Sequence, residues 1–404
     1  MSTRAWGGLA LLIGLLWTNF GFAADWSVVP SINARTEYNS NLNLDFSQPL
    51  KDFIFTVSPV ADFNYATEAL NLQGRLGLTG LKYVTNTGYD HIDQNYQING
   101  QYLPSARWRF FLTSSFIVDS TQQQELLTSG LVITRTPRQS FQVGPGFSYN
   151  LTEKLAASFN YGFYTVNYQD PQFQSYFSHS LAFSLSYPLN NLRTVLSGNV
   201  VGQETDYSSI DNTYRSLTMF LGADHRFSEL WGANISAGLT VSFIDSVTQV
   251  TSSVTSSPQL NFITVPQSRL RATTLSPFVN ASVTRRWTNL AITGGYGRTQ
   301  SGSAFGSVSD MNHIFLNLSY SFTERLSGSL TGDYSLSNQL SQTNSFQNVV
   351  YTINSQLSYR ITEKLSLSPG YRFVQNDDVS NSQSAHGHNV WVMLNYSYPI
   401  HYQK

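Results

Sequence analysis

The chain has no cysteine in its 404 residues, which excludes a disulfide scaffold, a thiolate metal centre and a cysteine nucleophile. Charge is also scarce. Asp, Glu, Lys and Arg make up 12 % of the residues, about half the ~25 % usual in soluble domains. The signs nearly cancel, with 23 Lys+Arg against 24 Asp+Glu, so no basic excess points to nucleic acid. Beyond residue 23 the sequence lacks any apolar run near the ~18 residues of a helical membrane span. What is abundant is aromatic, at 14 %, together with Ser, Thr, Asn and Gln. A surface that avoids Lys and Glu while carrying many rings suits contact with lipid, and without helical spans only a closed barrel can cross it.

The first 23 residues combine an early cation, Arg4, an apolar run from Gly8 to Leu16, and the small residues Gly21 and Ala23 near a cleavage point. This pattern predicts a secretory signal peptide over 1–23 and a mature barrel domain over 24–404. The alternative, a membrane anchor, needs a longer apolar core. Removal of the signal takes away one cation and no acid.

Alternation of apolar and polar residues runs through almost all the rest. In Leu70–Gly80 the set Leu70, Leu72, Leu76 and Leu78 opposes Asn71, Gln73, Arg75 and Thr79; Trp231–Phe243, Ile314–Phe322, Leu326–Leu336 and Tyr351–Ile361 repeat the pattern. Period two means a strand with one face in each medium. These runs exceed the five or six residues common in soluble sheets and match the ~9–11 of a membrane-crossing strand.

Short connections of one chemistry punctuate the strands: Thr67-Glu68-Ala-Leu70, Thr152-Glu153-Lys-Leu155, Ser228-Glu229-Leu-Trp231, Thr323-Glu324-Arg-Leu326 and Thr362-Glu363-Lys-Leu365, with shorter variants at Leu103–Trp108, Tyr187–Leu192 and Trp287–Leu290. Longer polar connections are expected at Asn39–Asp52, Ser120–Arg138, Tyr168–Ser175, Asp245–Arg271, Thr299–Asp310, Asn338–Asn348 and Asn376–His388, with two shorter ones near Asn86 and Ser208. Eight turns and nine loops predict an all-β transmembrane antiparallel barrel of about eighteen strands, or sixteen if a hairpin near 208 or 250–270 is miscounted. Trp26, Trp108, Trp231 and Trp287, with Tyr65, Tyr149, Tyr187, Phe322 and Tyr398, fall where strands meet the short turns, the level of an interfacial girdle. Pro30, Pro59, Pro145, Pro277 and Pro369 fall inside strands, where bulges are expected. The terminal His401-Tyr-Gln-Lys404 replaces the phenylalanine expected of an assembly signal, for which Tyr398 can substitute.

The polar face should line a lumen. It is mostly neutral, including Asn95, Gln97, Asn99 and Gln101, then Ser158, Asn160 and Tyr164, then Ser276, Asn280 and Ser282, and Asn354 with Gln356. Charges sharing its parity are Arg35, Asp62, Arg75, Arg193, Asp333 and Arg372. Asp62 and Arg75 flank the turn at Thr67 and can pair. Such charges either brace the scaffold or bias ion selectivity, and the sequence leaves both open. The seven histidines are scattered without catalytic spacing. His386-Gly-His388 beside Asp377 and Asp378 reads as a solvated loop before it reads as a metal site, and no cofactor fingerprint is present. Acidic residues such as Asp206, Asp211 and Asp245 could imitate an outer-membrane protease, but no Asp–His pattern joins them.

The segment Pro30-Ser-Ile-Asn-Ala-Arg-Thr-Glu-Tyr38-Asn-Ser-Asn41, followed by Asp52-Phe-Ile-Phe-Thr-Val-Ser-Pro59, resembles the opening of the β-barrel porin type 2 family. The resemblance implies an outer-membrane barrel of the kind associated with exopolysaccharide and exosortase-type loci, and it brings no signature catalytic or binding residues. Three functions are therefore expected in descending order: a porin-like channel passing small hydrophilic solutes or a polysaccharide, a structural barrel closed by loops such as 246–270, and an outer-membrane hydrolase. Lipid of the outer membrane is the expected surrounding, and oligomeric state is open.

Overall fold

The computed structural model describes residues 24–120, 135–189, 193–208, 211–248, 268–303, 308–340 and 346–403. The export signal expected over 1–23 and most of the loop 246–270 lie outside these described residues. The strands are β1 (Asp25–Asn39), β2 (Asp52–Ala66), β3 (Leu70–Tyr83), β4 (His91–Tyr102), β5 (Trp108–Ser120), β6 (Pro137–Asn150), β7 (Ala156–Tyr168), β8 (Tyr176–Pro188), β9 (Thr194–Tyr207), β10 (Asn212–Arg226), β11 (Trp231–Thr248), β12 (Ser268–Arg286), β13 (Leu290–Gly302), β14 (Val308–Ser321), β15 (Leu326–Leu340), β16 (Phe346–Arg360), β17 (Leu365–Asp378) and β18 (Gln383–Ser397, continued as Ile400–Gln403).

Each strand pairs antiparallel with the next, and β18 pairs back onto β1, with Arg35 opposite Met393 and Val28 opposite Ile400. The register is the same on both sides of Tyr398-Pro399, so the last short segment continues β18. The result is a closed antiparallel barrel of eighteen strands. Closure leaves no sheet edge for lipid to desolvate. The sixteen-strand alternative falls because both doubtful hairpins form, Tyr207 facing Asn212 and Thr248 facing Ser268. Among the described residues the only helix is the 3₁₀ turn Thr87–Tyr89.

The repeated turn chemistry has a direct cause. In each of the five related turns the hydroxyl at the first position accepts the backbone N–H three residues on, at 3.0 Å for Thr67, 2.9 Å for Thr152, 3.1 Å for Ser228, 3.0 Å for Thr323 and 3.1 Å for Thr362. The N–H of the same residue donates back across the turn, at 2.8 Å from Thr67 to the Leu70 carbonyl and 3.1 Å from Thr362 to that of Leu365. The side chain thus satisfies a donor that a tight turn would leave unpaired.

The expected bulges do not form. Pro30 pairs with Ala61, Pro59 with Ile32, Pro145 with Leu112, Pro277 with Leu239 and Pro369 with Val392. On the opposite side the ladder skips at Pro30, Pro59, Pro145 and Pro369 and resumes in the same register. A missing N–H removes one rung toward one neighbour. A one-residue shift would instead turn a strand's apolar face into the lumen, which costs far more. At Pro277 the consequence is larger: the ladder between β12 and β13 stops short of it, its last pair being Val279 with Arg298.

Several strands also run further than the polar composition of their ends suggested. β11 reaches Thr248, β13 reaches Gly302, and β17 and β18 leave only residues 379–382 between them, with Ser382 at φ 54°. His386 and His388 therefore lie in β18, not in a loop, and Asp206 and Asp245 lie in strands. Because side chains alternate, polarity at a strand's end marks exposure and not an end to pairing.

The outward set is apolar and bare, with Leu221 at 74 %, Leu275 at 67 % and Ile92 at 63 % exposure. Such a surface is stable only in lipid. At the short-turn end it meets a ring of amphipathic side chains. Arg285 lies between Trp231 and Trp287, 4.6 and 4.1 Å from their ring centroids, and Trp108 packs on Tyr149 at 4.6 Å and Phe110 at 5.7 Å.

Candidate functional site: the lumen

Pairing register assigns the inward residues strand by strand. They are odd-numbered on β1, β3, β4 and β5, and even-numbered on β2, β6, β7 and β8. Asn99, Asn160 and Asn280 lie on this inner face of β4, β7 and β12, exposed to the lumen. Arg35, Gln356 and Arg372 line one cavity of about 500 Å³. Asp62 and Arg75 face each other across β2 and β3, with Nε 2.6 Å from Oδ1 and Nη2 3.1 Å from Oδ2. Asp333 meets His313 Nε2 at 3.1 Å. Arg193 differs: it sits in the turn before β9, at the rim and not on the lumenal wall.

A further inward ion pair joins β6 to β5, where Arg138 binds Asp119 at 2.6 Å; Arg138 stands at the end of an expected loop. Cross-strand opposition puts such pairs at contact distance, and mutual neutralisation lets them line a narrow interior. Arg298 binds Asp310 at 2.8 Å between β13 and β14, on the face of these strands opposite His313.

Among the described residues, two segments narrow the lumen from the long-loop end. The first is the connection 40–51, which folds inward. Leu42 is 1 % exposed and packs with Ile54 and Tyr83, while Leu44, 7 % exposed, packs with Val350, Val374 and Ala385. Leu44 does so with φ 49°, a backbone region that costs a β-carbon residue ~1 kcal/mol or more and persists only under packing restraint. Polar ties hold the same segment. Asn41 Nδ2 donates to the carbonyls of Asp45 at 3.0 Å and His386 at 3.2 Å, Ser40 Oγ accepts from His388 N at 2.8 Å, and Asn43 Nδ2 reaches Tyr89 Oη at 2.8 Å.

The second segment is the end of the β13–β14 hairpin. Freed from β12 above Val279, β13 turns into the barrel. Ser242 of β11 donates to Gln300 Oε1 at 2.5 Å, and Gly302 lies so near Tyr207 of β9 that a Cβ there would stand 2.5 Å from the phenol oxygen. Tyr214, Ser242 and Thr205 of the opposed inner wall are accordingly almost fully buried.

Against the segment 40–51, which contributes Asn41, Leu42 and Leu44 to its lining, lies the 500 Å³ cavity, walled also by Asn33, Arg35, Glu37, Arg135, Asn354, Arg372 and Trp391 among others. Glu37 is engaged by Arg35, and Arg135 Nη1 donates to Tyr83 Oη at 2.6 Å. The Arg35 guanidinium stands 4.4 Å from the Trp391 ring centroid. That indole lies flat on the wall because its neighbour is Gly370, where a Cβ would be 2.3 Å from the ring. Arg135, Glu37 and Trp391 escaped the sequence reading. Glu37 and Trp391 share the inward parity of their strands, a signal that was present but outweighed by the neutral majority.

No protein-family model and no curated protein matches the chain. Solved structures do resemble it. They include OccAB3 of Acinetobacter baumannii, at 11 % identity and TM-score 0.45 over 93 % of this chain and 99 % of that one. OpdK of Pseudomonas aeruginosa with vanillate follows, at 12 %, TM-score 0.47, and 94 % and 100 % coverage. OccK2 (OpdF) of the same organism in complex with glucuronate gives 12 %, TM-score 0.47, and 95 % and 100 % coverage. At these values the likeness is one of general barrel shape, and the closed pairing described above stands without it.

The histidines offer no catalytic arrangement among the described residues. His91 has Nδ1 2.5 Å from the Tyr89 carbonyl and Nε2 3.1 Å from Asp93, so both nitrogens are occupied by groups that are not nucleophiles. His179, His225 and His388 sit on the outer face, held by Tyr161, Thr194 and Tyr371 at 2.7, 2.7 and 2.8 Å. Asp377 is bonded by Gln375 and Ser384. No cluster of three or more His, Asp and Glu with metal-binding geometry occurs among the described residues.

Proposed function

We propose that the protein is a porin-like channel of a bacterial outer membrane, exported by its 1–23 segment, that passes small hydrophilic solutes. The observation that carries this is the contrast of the two faces of one closed wall. Outside, bare leucines and rings demand lipid; inside, amides, hydroxyls and ion pairs demand water. A purely structural barrel has no need of a cavity of about 500 Å³ walled by hydrogen-bonding groups. Export of a polysaccharide is the second reading, favoured by the resemblance of residues 30–59. The inward segment 40–51 favours a compact solute over a polymer, because a threading chain needs an unbroken bore.

Liposome swelling tests the reading. Vesicles containing the folded, full-length mature protein should swell in arabinose and glucose faster than protein-free vesicles, with the rate falling steeply for a trisaccharide. Swelling no faster than protein-free vesicles for every sugar would refute a channel. Equal rates for mono- and trisaccharides would refute a constriction.

A further inference from the structure

The charges of the lumen are not all spent on one another. Arg75 and Arg138 each face a carboxylate on the neighbouring strand. Arg372, on the inner face of β17, forms no hydrogen bond or ion pair with any of the described residues. The charged groups around it are the carboxylates of Glu37 and Asp333 and the guanidiniums of Arg35 and Arg135. Glu37 is already engaged by Arg35, and Asp333 by His313.

The cavity that Arg372 lines therefore holds three guanidiniums, those of Arg35, Arg135 and Arg372, against Glu37 and Asp93, with His91 on Asp93. Among the described residues of this lining the guanidiniums outnumber the carboxylates. Hydrogen-bonding capacity is also unfilled: Arg35 Nε and Asn354 Oδ1 are buried polar atoms without a partner. The first is a donor in need of an acceptor, and the second an acceptor in need of a donor. Guanidiniums match oxyanions through paired N–H groups, while Asn33, Gln356 and Asn389 add neutral amides beside them.

We propose that this cavity is a binding site for a small hydroxylated organic anion, its oxyanion held by Arg372 and Arg35 and its hydroxyls by Asn354 and the neighbouring amides. The proposal rests on the channel reading above and names the solute class for it. The Trp391 indole, fixed over Gly370 and beneath Arg35, keeps the Arg35 head in place through ring–cation attraction, so the site is formed before the solute arrives.

The test uses the folded full-length mature barrel in planar bilayers. A KCl gradient gives the reversal potential, and gluconate, sorbitol and inorganic phosphate are added as probes. Gluconate and sorbitol share a chain of hydroxyls and differ in the carboxylate. Wild type should prefer chloride over potassium, and gluconate should interrupt the current at concentrations at least ten times lower than sorbitol. Arg372→Gln should cut the anion preference by about threefold, the factor one charge at ~6 Å exerts in a water-like dielectric. It should also remove the advantage of gluconate, whereas Arg372→Lys should keep part of both. Phosphate acting like gluconate would place recognition in the oxyanion, and phosphate without effect would place it in the carboxylate with its hydroxyls; either supports the site. Equal interruption by sorbitol and gluconate, or an Arg372→Gln barrel with unchanged selectivity, overturns it. Absence of any conductance would instead strike at the channel reading itself. Heat-modifiable gel migration verifies that each variant has folded. Arg372 donates to none of the described residues, so its replacement removes no fold contact seen there.

Discussion

Releasing the segment 40–51 should widen the lumen, and the double substitution Leu42→Ala with Leu44→Ala is the cleanest way to do it. Both side chains are almost fully buried inside the barrel, Leu42 against Ile54 and Tyr83 and Leu44 against Val350, Val374 and Ala385. Truncating a buried leucine costs ~2–5 kcal/mol. The lower end applies here, because water beside the segment can fill the space left, so the pair together weakens docking by ~4 kcal/mol. That changes the ratio of docked to released segment by roughly a thousandfold. The strained backbone at Leu44, φ 49°, remains strained as alanine and adds to the tendency to release. The assay is single-channel recording, with folding verified by heat-modifiable migration. The expected result is a larger mean conductance with slow steps between levels as the segment leaves and returns, since the barrel wall does not depend on it. A folded double variant with the conductance and noise of wild type would refute the inward docking of 40–51.

Acid should act on the same segment. Asp45 accepts from Ser47 N and Gln48 N, each at 2.8 Å, and these bonds hold its carboxyl below the usual carboxylate range. A depressed folded-state pKa contributes stability that is present above the unfolded value of ~4 and is lost as pH falls through the lower folded value. Recordings from pH 7 to pH 3 should therefore show the segment loosening only below about pH 4, and Asp45→Asn should abolish that step. Thr323→Ala removes the 3.0 Å bond to Leu326 N and should lower stability by ~0.5–1.5 kcal/mol in urea titration; Thr323→Ser should not, because Ser228 makes the same bond in its own turn at 3.1 Å. Arg285→Ala empties the slot between Trp231 and Trp287 and should cost ~1–2 kcal/mol in the same titration, with Arg285→Lys intermediate.

The barrel was legible because its determinants are local and repeated. Alternation along each strand, a Thr-x-x-Leu turn that closes on itself through a hydroxyl, and tryptophans at one end each report their position without reference to distant residues. Prolines misled because the rule against them concerns a ladder, and a ladder has two sides; Pro369 keeps its place opposite Val392 while losing one rung toward β16. The lumen was harder. Parity gave Arg35, Gln356 and Arg372 the inward face, yet their gathering around one cavity depends on which strands bring them to a common height. The narrowing role of 40–51 left one trace, the apolar Leu42 and Leu44 alternating with Asn41, Asn43 and Asp45; the meaning of Leu44 depends on partners more than 300 residues away in β16, β17 and β18.

The most direct test of a water-filled passage through this wall is the current carried by one purified, folded barrel in a planar bilayer at 1 M KCl. The account predicts discrete, ohmic steps whose size increases when Leu42 and Leu44 are truncated. A correctly folded barrel that inserts into the bilayer and carries no current, with or without those substitutions, would contradict it.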